Sequence, residues 1–121
     1  MQHAKEQDFM QVQTHTDKNI SAGAGLPERV TGMVEDVLGH LGERITRVEV
    51  HLSDLNSGKG GNDDIRCVME ARLQSHRPVT VTEQAANVQL ALQGAGRKLR
   101  KSVESILGRL NDHHKNAPPA G

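Results

Sequence analysis

Two segments in the middle of the chain carry apolar residues at every second position, which is the pattern of a β-strand with one buried face. In residues 45–54 (ITRVEVHLSD), Val48, Val50 and Leu52 alternate with charged or imidazole side chains. Residues 65–74 (IRCVMEARLQ) repeat this alternation over their whole length. Because strands that are covered on both faces are continuously apolar, the alternation predicts a sheet with one packed face and one face in water.

Four further elements follow from the same kind of pattern. Short alternating stretches at residues 8–16 and 77–82 predict two more strands. Residues 26–44 and 85–110 instead repeat apolar residues every three or four positions, which predicts two amphipathic helices, the first with a stop at Gly42. The apolar stripe of the first is Val30, Met33, Val34, Val37, Leu38 and Leu41, and that of the second is Val88, Leu92, Ala95, Leu99, Val103, Ile106 and Leu110.

The order of these elements is β-α-β-β-β-α. A helix between the first two strands makes them parallel neighbours, and short connections make the later strands an antiparallel meander. Since each helix has a single apolar stripe, both are expected on the same face of the sheet. We therefore predict an α+β fold, a two-layer sandwich with a four-stranded mixed sheet and two helices on one face. It occupies residues 10–111, between a flexible extension (1–9) and a disordered tail (112–121).

Composition restricts the functions open to this chain. Lys+Arg and Asp+Glu both total 15, so the net charge is zero, and any binding of a polyanion needs local charge asymmetry. Phe9 is the only aromatic residue, so stacking of bases on aromatic platforms is excluded. The single Cys67, at an inward position of its strand, predicts a buried hydrophobe and no internal disulfide. No leader and no membrane span is expected, which favours a cytoplasmic setting.

Catalytic and metal-binding patterns are not found in the sequence. The segment at residues 54–64 lacks the glycine and the bidentate acid of a calcium loop and the frame of a phosphate loop, so a flexible hairpin loop is expected. The seven histidines are scattered along the chain, which predicts no metal site. Acids and arginines on the open sheet face predict cross-strand charge pairs: Glu49, Glu70, Arg47, Arg66 and Arg72. We predict no enzyme, no cofactor and no small-molecule substrate.

The second helix carries a cluster of cations outside its apolar stripe, at Arg97, Lys98, Arg100 and Lys101. From residue 94 to residue 115 there are six Lys or Arg residues against two acids, so the excess is local. Such a cluster is typical either of a solvated helix face or of an anion-binding surface. The pattern of residues alone leaves both interpretations open.

The same helix contains the segment A-x-x-G-x-x-x-K-L-x-[RK], here at residues 91–101. Together with the strand RITRVEVHLSD and the order of elements, it resembles the short form of the ribosome hibernation promoting factor family. This family is also called the ribosome-associated inhibitor or sigma-54 modulation group. The resemblance spans residues 10–111.

This resemblance implies a non-enzymatic stress factor that binds the small ribosomal subunit. Such factors occupy the mRNA and tRNA channel against 16S rRNA and so block translation. The matching basic positions are Lys98 and Lys101, which Arg97 and Arg100 extend, with Arg109 as a weaker candidate. The patch is smaller than in relatives, because uncharged residues precede Arg109. The alternative is a protein-interaction or regulatory module of the same fold that has lost the ribosome; the oligomeric state is left open.

Overall fold

A computed structural model of the chain describes residues 10–18, 20, 23–55 and 64–116, with side chains described up to residue 110. The predicted order of elements and the α+β class are confirmed. The elements are β1 (Gln11–Thr16), α1 (Leu26–Leu38) with a following 3-10 turn (Gly39–Leu41), β2 (Ile45–Asp54), β3 (Ile65–Leu73), β4 (Val79–Ala85) and α2 (Val88–Asn116).

The four strands form one mixed sheet in the order β1-β2-β3-β4. β1 runs parallel to β2, and the pairs β2/β3 and β3/β4 are antiparallel, as predicted. The parallel register places Val12 beside Val48 and His15 beside His51. Side chains of neighbouring strands that are paired in this way point to the same face. The register therefore separates an apolar face from a polar one across the whole sheet.

The core lies between the apolar face of the sheet and the two helices. α2 packs on β3 and β4, while α1 contacts β1 and α2. The predicted inward residues of β2 and β3 are buried, as are Val30, Val34 and Leu38 of α1. On α2 the buried part of the predicted stripe is Leu92, Ala95, Leu99 and Val103. Leu110 is 49% exposed, so the stripe is buried over a shorter length than expected.

The second helix differs from its predicted bounds at both ends. It begins at Val88, because Asn87 caps it: the Asn87 Oδ1 accepts a hydrogen bond of 2.8 Å from the Leu90 amide. At the other end it continues to Asn116, past its predicted end at residue 110, and so includes residues 112–116, which the sequence assigned to the tail. The predicted extension at 1–9, the rest of the tail (117–121) and most of the hairpin loop (56–63) lie outside the described residues.

Cys67 is fully buried on the helix-facing side of β3, as predicted for a small hydrophobe. Burial, followed by the nearby carboxylate of Glu83, raises the pKa of the Cys67 thiol to about 12. At pH 8 a rise of about three pKa units lowers the thiolate fraction roughly a thousandfold. Since the thiolate is the nucleophile, the folded chain holds this cysteine in an unreactive form.

We therefore expect iodoacetamide at pH 8 to alkylate Cys67 at least about a thousandfold more slowly in the native chain than in guanidinium chloride. Mass spectrometry of quenched time points measures both rates on the same residue. Native and denatured rates within a factor of ten would contradict the buried, protonated thiol.

Candidate nucleic-acid interface

The cations of α2 project from the side of the helix that lies away from the apolar stripe. At about 100° per residue, Arg97 and Lys101 lie one turn apart on the same side, and Arg100 lies about 60° from Arg97. Arg97, Lys98 and Lys101 are exposed, and Arg100 is half-buried. Arg97, Arg100 and Lys101 thus share the side of α2 away from the core, whereas Lys98, about 160° around the helix from Arg100, lies at the edge that faces β4.

Lys98 is tied to the neighbouring strand. Its ammonium group donates a hydrogen bond of 2.7 Å to the Thr82 carbonyl oxygen and lies 2.8 Å from the Glu83 carboxylate. The Lys98 side chain is still 54% exposed. The charge of Lys98 is therefore shared with β4, and this residue fastens the helix to the sheet edge as well as contributing to the surface.

The absence of a side chain at Gly94 makes room for the contact between Lys98 and Glu83. A Cβ atom built on Gly94 would lie 2.6–2.7 Å from atoms of the Glu83 side chain, far inside contact distance. Glu83 therefore lies across Gly94 and pairs with Lys98, one helical turn further along. The spacing G-x-x-x-K of the sequence segment has a local structural explanation, which is the docking of α2 on β4.

The remaining three cations form what we call the α2 cationic surface: Arg97, Arg100 and Lys101. Among the side chains that the structure describes, no carboxylate oxygen lies within 4.0 Å of any of these three. The acid nearest in sequence, Glu104, is instead paired with His40 across a distance of 2.7 Å. Because Glu104 pairs with the turn that follows α1, no carboxylate of the described side chains neutralises the positive charge of this surface.

Arg109 lies apart from this surface. Its guanidinium donates a hydrogen bond of 2.9 Å to the Ser105 hydroxyl on the previous turn. It lines a shallow groove between α2 and β4 together with Lys101 and Val79. Lys101 and Arg109 are two turns apart, about 12 Å along the helix. Of the five predicted residues, Arg109 is thus the one that the fold separates most from the others.

The open face of the sheet carries the predicted acids and arginines, but the acids pair with arginines of their own strand and not across strands. Glu49 and Glu70 lie opposite each other across β2 and β3. Each pairs along its own strand, Glu49 with Arg47 at 3.3 Å and Glu70 with Arg72 at 3.7 Å. The expectation of cross-strand pairs is therefore wrong for these four residues. Residues two apart on a strand share a face, and here they are close enough to pair.

Two of the histidines, scattered along the sequence, meet on this same face of the sheet. The rings of His15 and His51 are stacked, with centroids 4.5 Å apart and planes 12° from parallel. The two residues are far apart in sequence and meet because β1 and β2 pair in parallel register.

Comparison with known proteins places the fold. No family model matches the chain, and no curated protein matches its sequence. Two solved structures superpose on it with a TM-score of 0.62 each. One is the N-terminal domain of Protein Y from Thermus thermophilus, 18% identical, with 80% of this chain and 99% of that chain covered. The other is a ribosomal subunit interface protein from Coxiella burnetii, 10% identical, with 82% and 99% covered.

The chain has the fold of these two proteins. The agreement extends over nearly their whole length, so the four strands and both helices belong to one known architecture. At 18% and 10% identity, the similarity concerns the path of the backbone and does not extend to the surface side chains. Within the described part of the chain, neither helix combines the length and the apolar character that crossing a lipid bilayer requires.

Proposed function

We propose that this chain is a ribosome-associated factor that binds the small ribosomal subunit through the α2 cationic surface and so inhibits translation. The observation that carries the proposal is the grouping of Arg97, Arg100 and Lys101 on one side of α2, without a described carboxylate within 4.0 Å. Cations without close counter-ions, on a chain of zero net charge, direct a polyanion to one place. The ligand that fits is the phosphate backbone of 16S rRNA in the mRNA and tRNA channel.

Two independent lines support a ribosomal partner. One structure of the same fold is described as a ribosomal subunit interface protein. The segment at residues 91–101 also resembles the hibernation promoting factor family, whose members act without catalysis on idle ribosomes. A cytoplasmic, non-enzymatic role under stress follows from the same resemblance.

Binding to phosphates suits the chemistry of this surface. Structured RNA is bound mostly through its backbone and its shape, which requires cations on a rigid frame. α2 supplies that frame, because its apolar stripe is anchored by fully buried residues such as Leu99 and Val103. Lys98 adds charge at the edge of the surface, and Arg109 extends it weakly toward the groove beside β4.

A sucrose-gradient profile of cell extract, probed for this chain, tests the proposal. We expect the chain in the fractions that contain small subunits and whole ribosomes at low salt, and in the top fractions after a wash at high salt. Recovery at the top of the gradient under all conditions, including stationary-phase extracts, would contradict a ribosomal role.

A protein-interaction or regulatory module of the same fold is the second candidate. Its support is the pairing of Lys98 with Glu83, which reduces the free positive charge of α2. Pull-down from lysate at low and at moderate salt separates the two functions. Ribosomal RNA that is lost as salt rises supports the first, and one discrete protein that is retained supports the second.

A further inference from the structure

The open face of the sheet brings three metal-ligating side chains together on the side opposite the helices. His15 lies near the end of β1, beside His51 of β2, and Glu49 precedes His51 by two positions on the same face. One ligand atom from each of the three lies within 4.8 Å of the other two. No other group of three such residues is found among the residues that the structure describes.

The distances approach those of a metal site. The His51 Nε2 lies 3.5 Å from the Glu49 Oε1, and the His15 Nε2 lies 3.9 Å from the same oxygen. In a tetrahedral site with bonds of 2.0–2.1 Å, ligand atoms are separated by about 3.3–3.4 Å. The two rings are stacked, with planes 12° from parallel, so both exposed imidazoles turn out of the stack when their Nε2 lone pairs converge on one ion.

Glu49 is the fixed member of the trio. Its side chain is only 18% exposed, and its second oxygen, Oε2, accepts a hydrogen bond of 3.3 Å from Arg47. Since Arg47 contacts Oε2, the carboxylate is oriented with Oε1 toward both imidazoles. Outer partners of this kind hold ligands of metal sites in place. Arg47 adds a positive charge nearby, while Glu70, opposite Glu49 on β3, is paired with Arg72.

We propose that His15, Glu49 and His51 form a binding site for a divalent metal ion of the zinc class. The His15 Nε2, the His51 Nε2 and the Glu49 Oε1 are the protein ligands, and water completes the coordination on the solvent side. Two imidazoles favour zinc and its neighbours over Mg²⁺ or Ca²⁺, which prefer oxygen ligands alone. The two histidines, about half exposed, leave the site open to the ion from solvent.

Such an ion would join the edge of the sheet to its interior. β1 is an edge strand, and β2 lies beside β3 within the sheet. A metal held by His15 on one strand and by Glu49 and His51 on the other links the two strands through side chains. Because the site is on the face that α2 does not cover, it stands independently of the proposed ribosomal function.

Titration of the full chain with Zn²⁺, after removal of bound metal by a chelator, tests the site by calorimetry. We expect saturation at one ion per chain and, at about a hundred times the Kd, a rise in Tm of roughly 10 °C. His15→Ala, His51→Ala and Glu49→Gln are each expected to weaken binding at least about a hundredfold. Each variant is first compared with the parent chain by circular dichroism in chelator, so that loss of the fold is recognised.

His76→Ala is the matched control, since His76 lies outside the sheet and its ring Nδ1 donates a hydrogen bond of 2.7 Å to the Arg77 carbonyl oxygen. It is expected to leave binding unchanged, as is the double variant His113→Ala/His114→Ala. Co²⁺ provides a second readout, because the visible bands of the tetrahedral ion appear only when it is coordinated. Zn²⁺ binding of full strength in His51→Ala, loss of binding only in the His113/His114 variant, or no saturation at millimolar Zn²⁺ would each overturn the proposal.

Discussion

Reversing the charge of Arg97 and Lys101 together (R97E/K101E) is expected to weaken binding to the small ribosomal subunit by about a hundredfold or more. Both side chains are exposed, one turn apart, and without a described carboxylate within 4.0 Å. Replacing two attractive phosphate contacts by two repulsive ones changes the binding free energy by several kcal/mol. Co-sedimentation of each purified variant with small subunits measures the loss.

Arg66→Glu/Arg77→Glu is the matched control for this double variant. It changes the net charge by the same amount at two exposed positions that lie outside α2. We expect it to retain most of the binding, because local charge and not net charge attracts the RNA. Equal losses in the two double variants would contradict a binding surface on α2.

Lys98 is left out of the charge reversal for a structural reason. A carboxylate at position 98 would face the Glu83 carboxylate, now 2.8 Å from the ammonium group, and would disturb the docking of α2 on β4. Loss of binding in such a variant would not separate a damaged fold from a damaged surface. Arg97 and Lys101 are free of this difficulty.

The second large effect concerns stability. Leu99→Ala is expected to lower the free energy of unfolding by about 3–5 kcal/mol, since the side chain is 0% exposed at the centre of the α2 stripe. Against a total stability of about 5–15 kcal/mol for a single domain, this is a large fraction. Urea unfolding followed by circular dichroism measures this loss of free energy. The m-value of the variant should equal that of the parent chain if the denatured state is unchanged.

Leu110→Ala is the control on the same helix, with the same change of side chain. Leu110 is 49% exposed, so its truncation is expected to cost less than about 1 kcal/mol. Similar losses of unfolding free energy in the two variants would mean that α2 is not anchored through Leu99. The claim that α2 is a rigid support for the cationic surface would then be wrong.

The fold was predictable because its signals are local. Alternation in β2 and β3 specifies which side chains face the helices, and the stripes of α1 and α2 specify what covers them. The start of α2 at Val88 differs from the predicted start at residue 85 because Asn87, a favoured capping residue, fixes the first turn. The extension of α2 beyond Leu110 has no signal in the sequence, because the residues that follow are polar and carry no apolar period.

The arrangement around Lys98 depends on contacts between distant segments. Glu83 occupies an inward position of β4, after Val79 and Val81. An acid at such a position requires a cation opposite it, and that signal was present in the sequence. That Lys98 is the cation that pairs with Glu83 follows only from the packing of α2 across β4. The pairing of His15 with His51 similarly follows from the register of a parallel pair, which alternation alone does not fix.

The most direct test of a phosphate-binding surface on α2 is the affinity of the purified chain for purified small subunits across a series of KCl concentrations. With three to four phosphates neutralised, the logarithm of the affinity is expected to fall with the logarithm of salt at a slope between about −2 and −4. R97E/K101E should reduce both the affinity and the steepness of this slope. A salt-independent affinity, or no binding at 50 mM KCl (roughly the low-salt limit of such titrations), would contradict the assignment.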